Sequence, residues 1–529
     1  MNFTPEHITN GNISIGIEFG STRIKAVLID PEGNILASGG FNWENQLIDD
    51  VWTYSQQDIW FGVQEAYRNL VQSVQQKYHT SIRKVNAIGI SAMMHGYMPF
   101  DQYKNLLVPF RTWRNNITEN SAQKLTALFQ HNIPQRWSIA HLYQAILNEE
   151  SHLPQIDYMT TLSGYVHWCL TDQKVLGIGD ASGMFPIDPQ CNNYDVSMLN
   201  AFNQLIEDKH YIWKIDNILP KVLVAGENAG YLTEQGAKLI DPSGMLQAGC
   251  PLCPPEGDAG TGMVATNSIK EKSGNISAGT SAFAMIVLEK TLSQVYENLD
   301  IVTTPAGKTV AMAHANNCTT DINAWMKIFS ECLTAFGIPH TSTQLYETLF
   351  TQALTGDEDC GQVLSYGFYS GEHSLDLSSG CPLLIHPTQS KFNLANLIRA
   401  QLYSAFAAMK LGMDILTQQE KVEISQILAH GGIFKTQNVA SKILASALNI
   451  PIMTMETATE GGAWGIALLA NYLHHAPHLS LEQYLDKIIF QKFEMNTSQP
   501  SKAMAEGYEK FMQHYKKGLP IVQAAIKVR

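Results

Sequence analysis

The feature that most constrains this chain is a pair of matching hairpins set about half its length apart. In NISIGIEFGSTRIKAVLID the β-branched run Ile13–Phe19 enters the turn Gly20-Ser21-Thr22, and Lys25–Ile29 leaves it. In GNISAGTSAFAMIVLE a second apolar run enters Gly279-Thr280-Ser281, and another leaves. Short β-branched runs on either side of a glycine turn predict β-hairpins. Two hairpins with the same turn chemistry predict a duplicated fold, one copy per domain. The turns also have a chemical use. Glycine lets the backbone approach a phosphate closely, and the neighbouring amides and hydroxyls donate to its oxygens. Two such turns facing one another would grip a polyphosphate from both sides. The Walker pattern G-x-x-x-x-G-K-[ST] does not occur.

The rest of the chain alternates helical and extended patterns. DIWFGVQEAYRNLVQSVQQKY has apolar residues at helical spacing, and VNAIGISAMM reads as a buried strand. NLANLIRAQLYSAFAAMKLGMDIL predicts an amphipathic helix. ISQILAHGGIFKTQNVASKILASALNIPIM reads strand, Gly-Gly turn, helix, strand. TEGGAWGIALLANYL opens a glycine-rich helix, and MAEGYEKFMQHYKKGL a polar-faced one. This alternation predicts α/β architecture. With 529 residues the chain exceeds the roughly 250–300 at which single cores stop growing, so two domains are expected. The stretch 254–263 (PPEGDAGTGM) is too rich in Gly and Pro for helix or strand and lies near the midpoint. It reads as a loop closing the first domain, which gives domains 1–263 and 264–529.

Apolar residues make up 45% and charged residues 16%, an ordinary globular balance. The net charge of −13 repels nucleic-acid phosphates on average, so no nucleic-acid partner is expected, while a local site for a small anion is compatible. No run of about 18 apolar residues suggests a membrane span. MNFTPEHITNGN lacks the apolar centre of a signal peptide. Eight scattered cysteines suit reduced thiols and a cytoplasmic location. Cys250 and Cys253 form one CxxC with no second ligand pair, which favours a structural role over a redox or zinc role.

Several residues suit chemistry. Glu18, just before the first turn, could hold Mg²⁺ through water. Gly431-Gly432 would let an adenosine lie flat on the backbone. Phosphoryl transfer to an alcohol needs a group that accepts its proton. Asp258, in a Gly-flanked stretch at the expected domain junction, suits that task, and a plain turn role stays open for it on the residues alone. The stretch GISAMMHGYMPFDQYKNLLVPFRTWRNN (89–116) carries Met94-His95-Gly96 out of a buried strand and on to Trp113. Taken singly, His95 reads as a satisfied core histidine and Trp113 as core packing.

Taken in order, these segments resemble the FGGY family of carbohydrate kinases, most closely its xylulokinase-type members, over nearly the whole chain. IEFGSTRIK is similar to the first phosphate motif, D-x-G-T-S-x-x-K, and ISAGTSAF to the second. GISAMMHG resembles the strand carrying the sugar-contacting Met-His. EGDAGTG resembles the loop of the catalytic aspartate, and LSGYVHWCLTDQKVLGIGDASGMFPID the family's K-D-Y-L…LTG…DASG segment. AHGGIFKTQNVASKILASALNIPI resembles the adenosine motif, and TEGGAWGIALLA the helix behind it. The resemblance implies two ribonuclease-H-like domains of the actin/hexokinase ATPase type with a central cleft. ATP would lie mainly on the second domain and sugar on the first.

By the same resemblance Asp258 takes the proton from a sugar's terminal hydroxyl. Met94, His95, Trp113 and Asn115 line the pocket of a short open-chain ketose, with His95 and Asn115 bonding hydroxyls. Gly20, Ser21, Thr22 and Lys25 form the first phosphate turn; Gly279, Thr280 and Ser281 form the second. Gly431, Gly432 and Lys435 hold the adenosine, with Asn438 in the same segment. Glu18 and Asp258 are the carboxylates near Mg²⁺. The implied activity is ATP-dependent phosphorylation of a ketopentose, D-xylulose first, with ribulose or another ketose or polyol as alternatives. A non-catalytic sugar- or nucleotide-sensing member and an actin- or chaperone-like ATPase are the rivals from other classes, and a homodimer stays open. Four departures stand out. Glu18 replaces an Asp. Trp113-Arg114-Asn115-Asn116-Ile117 replaces W-x-D-x-R. Ile433 replaces a third Gly, and TLSGYVHWCL lacks the usual Lys-Asp pair.

Overall fold

The computed structural model describes residues 5–455 and 461–528. The chain divides into two compact units. The first comprises residues 1–269, 300–310 and 458–492; the second comprises 270–299, 311–457 and 493–529. One cut between 263 and 264 was the expectation from sequence. Instead the chain returns to the first unit twice.

The first unit is built on a sheet in the order β7-β6-β1-β2-β3. Its strands are β1 (Ser14–Phe19), β2 (Arg23–Ile29), β3 (Ile35–Asn42), β6 (Ala87–Ala92) and β7 (Glu256–Gly257). A small separate hairpin is made by β4 (Gln46–Ile48) and β5 (Val51–Thr53). β1 and β2 are antiparallel, as the hairpin pattern predicts, and β6 and β7 add in parallel. The sheet packs on α1 (Gln56–Tyr78), whose buried stripe is Ile59, Val63, Ala66, Tyr67, Leu70 and Val74. That stripe repeats at three- and four-residue spacing, so one helix face meets the core. Ser55 caps its start by accepting from the Asp58 amide.

Two expectations are corrected here. The stretch 254–263 is not a loop: Glu256–Gly257 is β7 and Asp258–Ala265 is α2. Its glycines weaken helix propensity, but tertiary packing overrides that when a close approach is needed. The helix Gly461–Tyr472, placed by the sequence reading in the second domain, packs against β1, β6 and α2 of the first unit.

The second unit repeats the plan. β8 (Ser273–Ala278) and β9 (Ala282–Val287) form the antiparallel hairpin. β11 (Gln426–His430) adds in parallel to β8, and β12 (Ile452–Thr454) in parallel to β11. β10 (Thr309–Ala315) flanks β9, and β13 (Asn496–Ser498) flanks β12. Antiparallel hairpin plus parallel additions is the arrangement of β1, β2, β6 and β7, so the duplication read from the two turns holds. Helix α3 (Leu394–Asp414) is the third correction. Eighteen of its residues are buried, including Arg399, Gln401 and Lys410, so it is a core helix and not an amphipathic one. Its cations find partners: Arg399 Nη1 donates to Gly356 O at 2.6 Å, its Nη2 lies 2.9 Å from Glu358 Oε2, and Lys410 pairs with Asp414. The α4 helix (Ala440–Leu448) and the terminal α5 (Lys502–Lys527) fall where the patterns predict. Glu460 and the start of TEGG lie outside the described residues. No helix among the described residues is long and apolar enough to cross a membrane.

Candidate active site

Three neighbouring strands of the first unit end in register. Phe19 of β1 lies beside Ala92 of β6, and Ala92 beside Gly257 of β7. The Gly20-Ser21-Thr22 turn, the Met94-His95 segment and Asp258 therefore leave one edge of one sheet. The carboxyl ends of parallel strands are where α/β sheets present ligand sites. Asp258 is half-buried at the first position of α2. Its Oδ1 accepts from the Met94 amide at 3.2 Å. Burial pushes its carboxyl up to about 6, against the pull of the Met94, Ala259 and Asp258 amides. Gly257 must be glycine here, because a Cβ would stand 2.1 Å from Met94 Cγ. A carboxyl titrating near neutrality can exist as the proton acceptor yet hold a proton after transfer.

His95 is buried with a left-handed φ of 69° and is followed by Gly96 at 97°. Left-handed backbone is uncommon for non-glycine residues and turns the chain sharply off the strand. Its Nδ1 bonds Gly183 O at 3.2 Å, and the ring stacks on Trp137 at 6.2 Å between centroids. Met94 is buried against Gly257 and Gly183. Trp113 is 37% exposed, enough to offer an apolar face, and its Nε1 donates to Ser21 Oγ at 3.3 Å. Lys25 on β2 lies 3.8 Å from Glu18 Oε2.

Asn115 has backbone partners. It is buried, and both of its donors are already engaged: Nδ2 donates to Trp52 O at 2.8 Å and to Thr112 O at 3.0 Å. Its Oδ1 accepts from Trp52 N at 2.8 Å. No donor remains on that amide for a sugar hydroxyl.

In the second unit, Ser277 of β8 lies beside His430 of β11. The Gly279-Thr280-Ser281 turn and Gly431 thus leave neighbouring strand ends. Cys318 N donates to Thr280 O at 2.8 Å, and Thr319 to Gly279 O through N and Oγ1, which braces the turn. Gly431 has φ 125°, and a Cβ there would meet Ala278 O at 2.0 Å. Among the described residues no atom lies within 4 Å of the Gly432 Cβ position, so that face is open to them. Lys435 follows a short 3-10 turn (Gly432–Phe434) and is exposed, as is Asn438 at φ 60°.

Sequence reading missed two carboxyls. Glu256 is buried and accepts from Gly179 N at 3.2 Å and Asp180 N at 3.0 Å. Asp180 is fully buried; its Oδ2 accepts from Thr161 Oγ1 at 2.7 Å and Ser163 Oγ at 2.5 Å, while Oδ1 has no hydrogen-bond partner among the described residues. The available signals were the acid in DASG and the acid two residues before Asp258. Burial pushes Asp180 up to about 7, helped by the charge of Asp258; burial pushes Glu256 up to about 8, helped by Asp180. Unfolded, both titrate near 4. Between roughly pH 4 and pH 8 these two carboxyls therefore hold more protons in the folded chain than in the unfolded one, so their own contribution to stability should fall as pH rises through that window. The melting temperature of the natural protein minus that of Asp180→Asn should fall as pH rises across the window, because the variant lacks one of the two raised carboxyls. Equal slopes in both proteins would refute the assignment.

Residues 13–258 match the family model for the FGGY family of carbohydrate kinases, N-terminal domain, and residues 274–474 the model for its C-terminal domain. A xylulose kinase of Haemophilus influenzae is 22% identical over 95% of this chain and 98% of its own length. A ligand-bound xylulose kinase structure from Lactobacillus acidophilus superposes with a TM-score of 0.78 at 16% identity, covering 97% of this chain and 99% of the other. A gluconate kinase from the same organism superposes with a TM-score of 0.78 at 17% identity, covering 97% and 98%. These likenesses show the two-domain sugar-kinase fold of the actin/hexokinase type. With family models matched across most of its length, the chain belongs to the FGGY family of carbohydrate kinases.

Proposed function

We propose that this protein transfers the γ-phosphoryl group of ATP to the terminal hydroxyl of a ketopentose, D-xylulose first and ribulose second. The observation that carries this reading is the shared sheet edge: a phosphate-type turn, a Met-His segment and a near-neutral carboxyl leave three adjacent strand ends. Asp258 is the general base. It accepts the hydroxyl proton as the bond to phosphorus forms, and the Met94 amide holds its Oδ1 in place. Met94 and Trp113 supply apolar surface to the sugar chain, and His95 a polar contact. Gly20, Ser21, Thr22 and Lys25 receive phosphate on the first unit. Gly279, Thr280 and Ser281 do so on the second, where Gly431, Gly432, Lys435 and Asn438 receive the nucleoside.

Mg²⁺ fits beside Glu18. This carboxylate stands at the end of β1, and no three His, Cys, Asp or Glu side chains among the described residues form a dedicated cage. That suits a cation held mostly by water and phosphate oxygens with one or two carboxylates, Glu18 first and Asp258 through water. Bound with ATP, the ion would neutralise charge on the phosphate oxygens.

A panel of D-xylulose, ribulose, other ketoses, polyols and gluconate, assayed for ADP release, tests the reading. Sugar-stimulated turnover is expected, strongest with D-xylulose. ATP hydrolysis indifferent to every sugar would refute it, and calorimetric sugar binding without turnover would favour a sensor. The base must be ionised, so kcat/KM should fall about tenfold per pH unit below about 6. A profile flat to pH 5 would remove Asp258 from that role.

A further inference from the structure

The hairpin β4–β5 closes over Asp49-Asp50, both with left-handed φ (48° and 61°), in register Ile48↔Val51. It is a two-stranded sheet of its own, and isolated two-stranded hairpins are marginal in water. Something outside it must hold it, and the contacts converge on Trp52. Asn115 brackets the Trp52 backbone, accepting from its N and donating to its O, both at 2.8 Å. Thr112 adds N and Oγ1 bonds to the same oxygen at 3.1 Å. The Arg114 guanidinium lies over the Trp52 indole, 4.0 Å from its centroid.

Two residues on, Tyr54 reaches the first phosphate turn. Its hydroxyl donates to Ser21 O at 2.5 Å, and its ring stacks on Trp43 at 4.0 Å and 22°. Trp43 Nε1 in turn donates to Gly20 O at 2.7 Å. A continuous strap therefore runs from Asn115 through Trp52 and Tyr54 to Gly20 and Ser21. Apart from the covalent step from Trp52 to Tyr54, every link is a hydrogen bond or ring stack within the first unit.

We propose that Asn115 is a positioning residue for the first phosphate turn, acting through the Trp52–Tyr54 strap, and that it does not bond the sugar. The proposal rests on the reading that Gly20-Ser21-Thr22 receives phosphate. It also explains why an amide stands where the related pattern has an aspartate. A carboxylate has no donor, and here it would face two carbonyl oxygens, Trp52 O and Thr112 O, in a buried place. Restoring the aspartate should therefore harm the nucleotide side.

The test compares Asn115→Asp and Tyr54→Phe with the natural protein. Affinity for a non-hydrolysable ATP analogue is measured by calorimetry, KM for sugar and for ATP by turnover, and hairpin release by thermolysin cleavage within residues 46–53. Asn115→Asp should weaken analogue affinity and raise KM for ATP by about tenfold, leave sugar KM within about twofold, and speed cleavage by about tenfold. Tyr54→Phe should weaken analogue affinity with less effect on cleavage, because it cuts the strap at its far end. A rise in sugar KM with unchanged analogue affinity and unchanged cleavage in Asn115→Asp would overturn the proposal and return Asn115 to the sugar. Should Asn115→Asp not fold, Tyr54→Phe decides, and natural analogue affinity in it would overturn the proposal. Should no sugar be phosphorylated, the kinase reading fails, while analogue affinity and cleavage still decide the strap.

Discussion

Asp258→Asn is expected to lower kcat/KM for sugar phosphorylation by about 10²–10⁴-fold, the usual contribution of a positioned general base. The substitution is nearly isosteric. Its amide oxygen can still accept from the Met94 amide, so the strand ends and the helix start should stay in place. What is lost is the ability to take a proton. Folding should be unimpaired, since the replaced group is one whose ionisation burial already disfavours. Turnover with the sugar that proves best, beside a melting curve, checks both halves. Activity within a few-fold of natural would show that the proton goes elsewhere. A collapsed melting temperature would show that the loss was structural.

Gly431→Ala carries the largest expected effect on stability. The residue sits at φ 125° and ψ 168°, a region essentially reserved for glycine. An added Cβ would also lie 2.0 Å from Ala278 O, the last carbonyl of β8 before the Gly279-Thr280-Ser281 turn. Strain and overpacking together predict a loss on the order of 3 kcal/mol in the second unit. The same displacement would push on Gly279, so affinity for an ATP analogue should fall as well. Gly432→Ala is the control. Its Cβ direction is open, so stability should change by less than about 1 kcal/mol, and any loss of analogue affinity there reports close approach of the nucleoside. Urea unfolding and calorimetry on the two variants separate these effects. Equal stability of both would show that the strand ends yield easily.

Both hairpins, 14–29 and 273–287, were legible because β-branched runs and a glycine turn act within a few residues of one another. The buried strand at 87–92 and the helix at 56–78 were legible for the same local reason. Residues 256–265 were not. Gly257, Gly260 and Gly262 read as breakers, yet they are small because Met94 and Pro305 crowd two of them, and that crowding has no local signature. Helix α3 was misread because its charged residues find partners inside, such as Gly356 O for Arg399. The backbone bonds of Asn115 were not legible because its partner Trp52 lies 63 positions away.

By itself the sequence determined the duplicated α/β plan and the places of the two Gly-hydroxyl turns. Those rest on periodicity, turn chemistry and motif order, which are carried by neighbouring residues. Only the tertiary structure decided what each polar side chain has left to offer. It engaged both donors of Asn115 on backbone carbonyls, set Glu256 onto the amides of Gly179 and Asp180, and raised Asp258 toward neutrality by burial. Hydrogen-bond saturation and desolvation depend on what lies within a few ångströms in space, and residues tens of positions apart supply it.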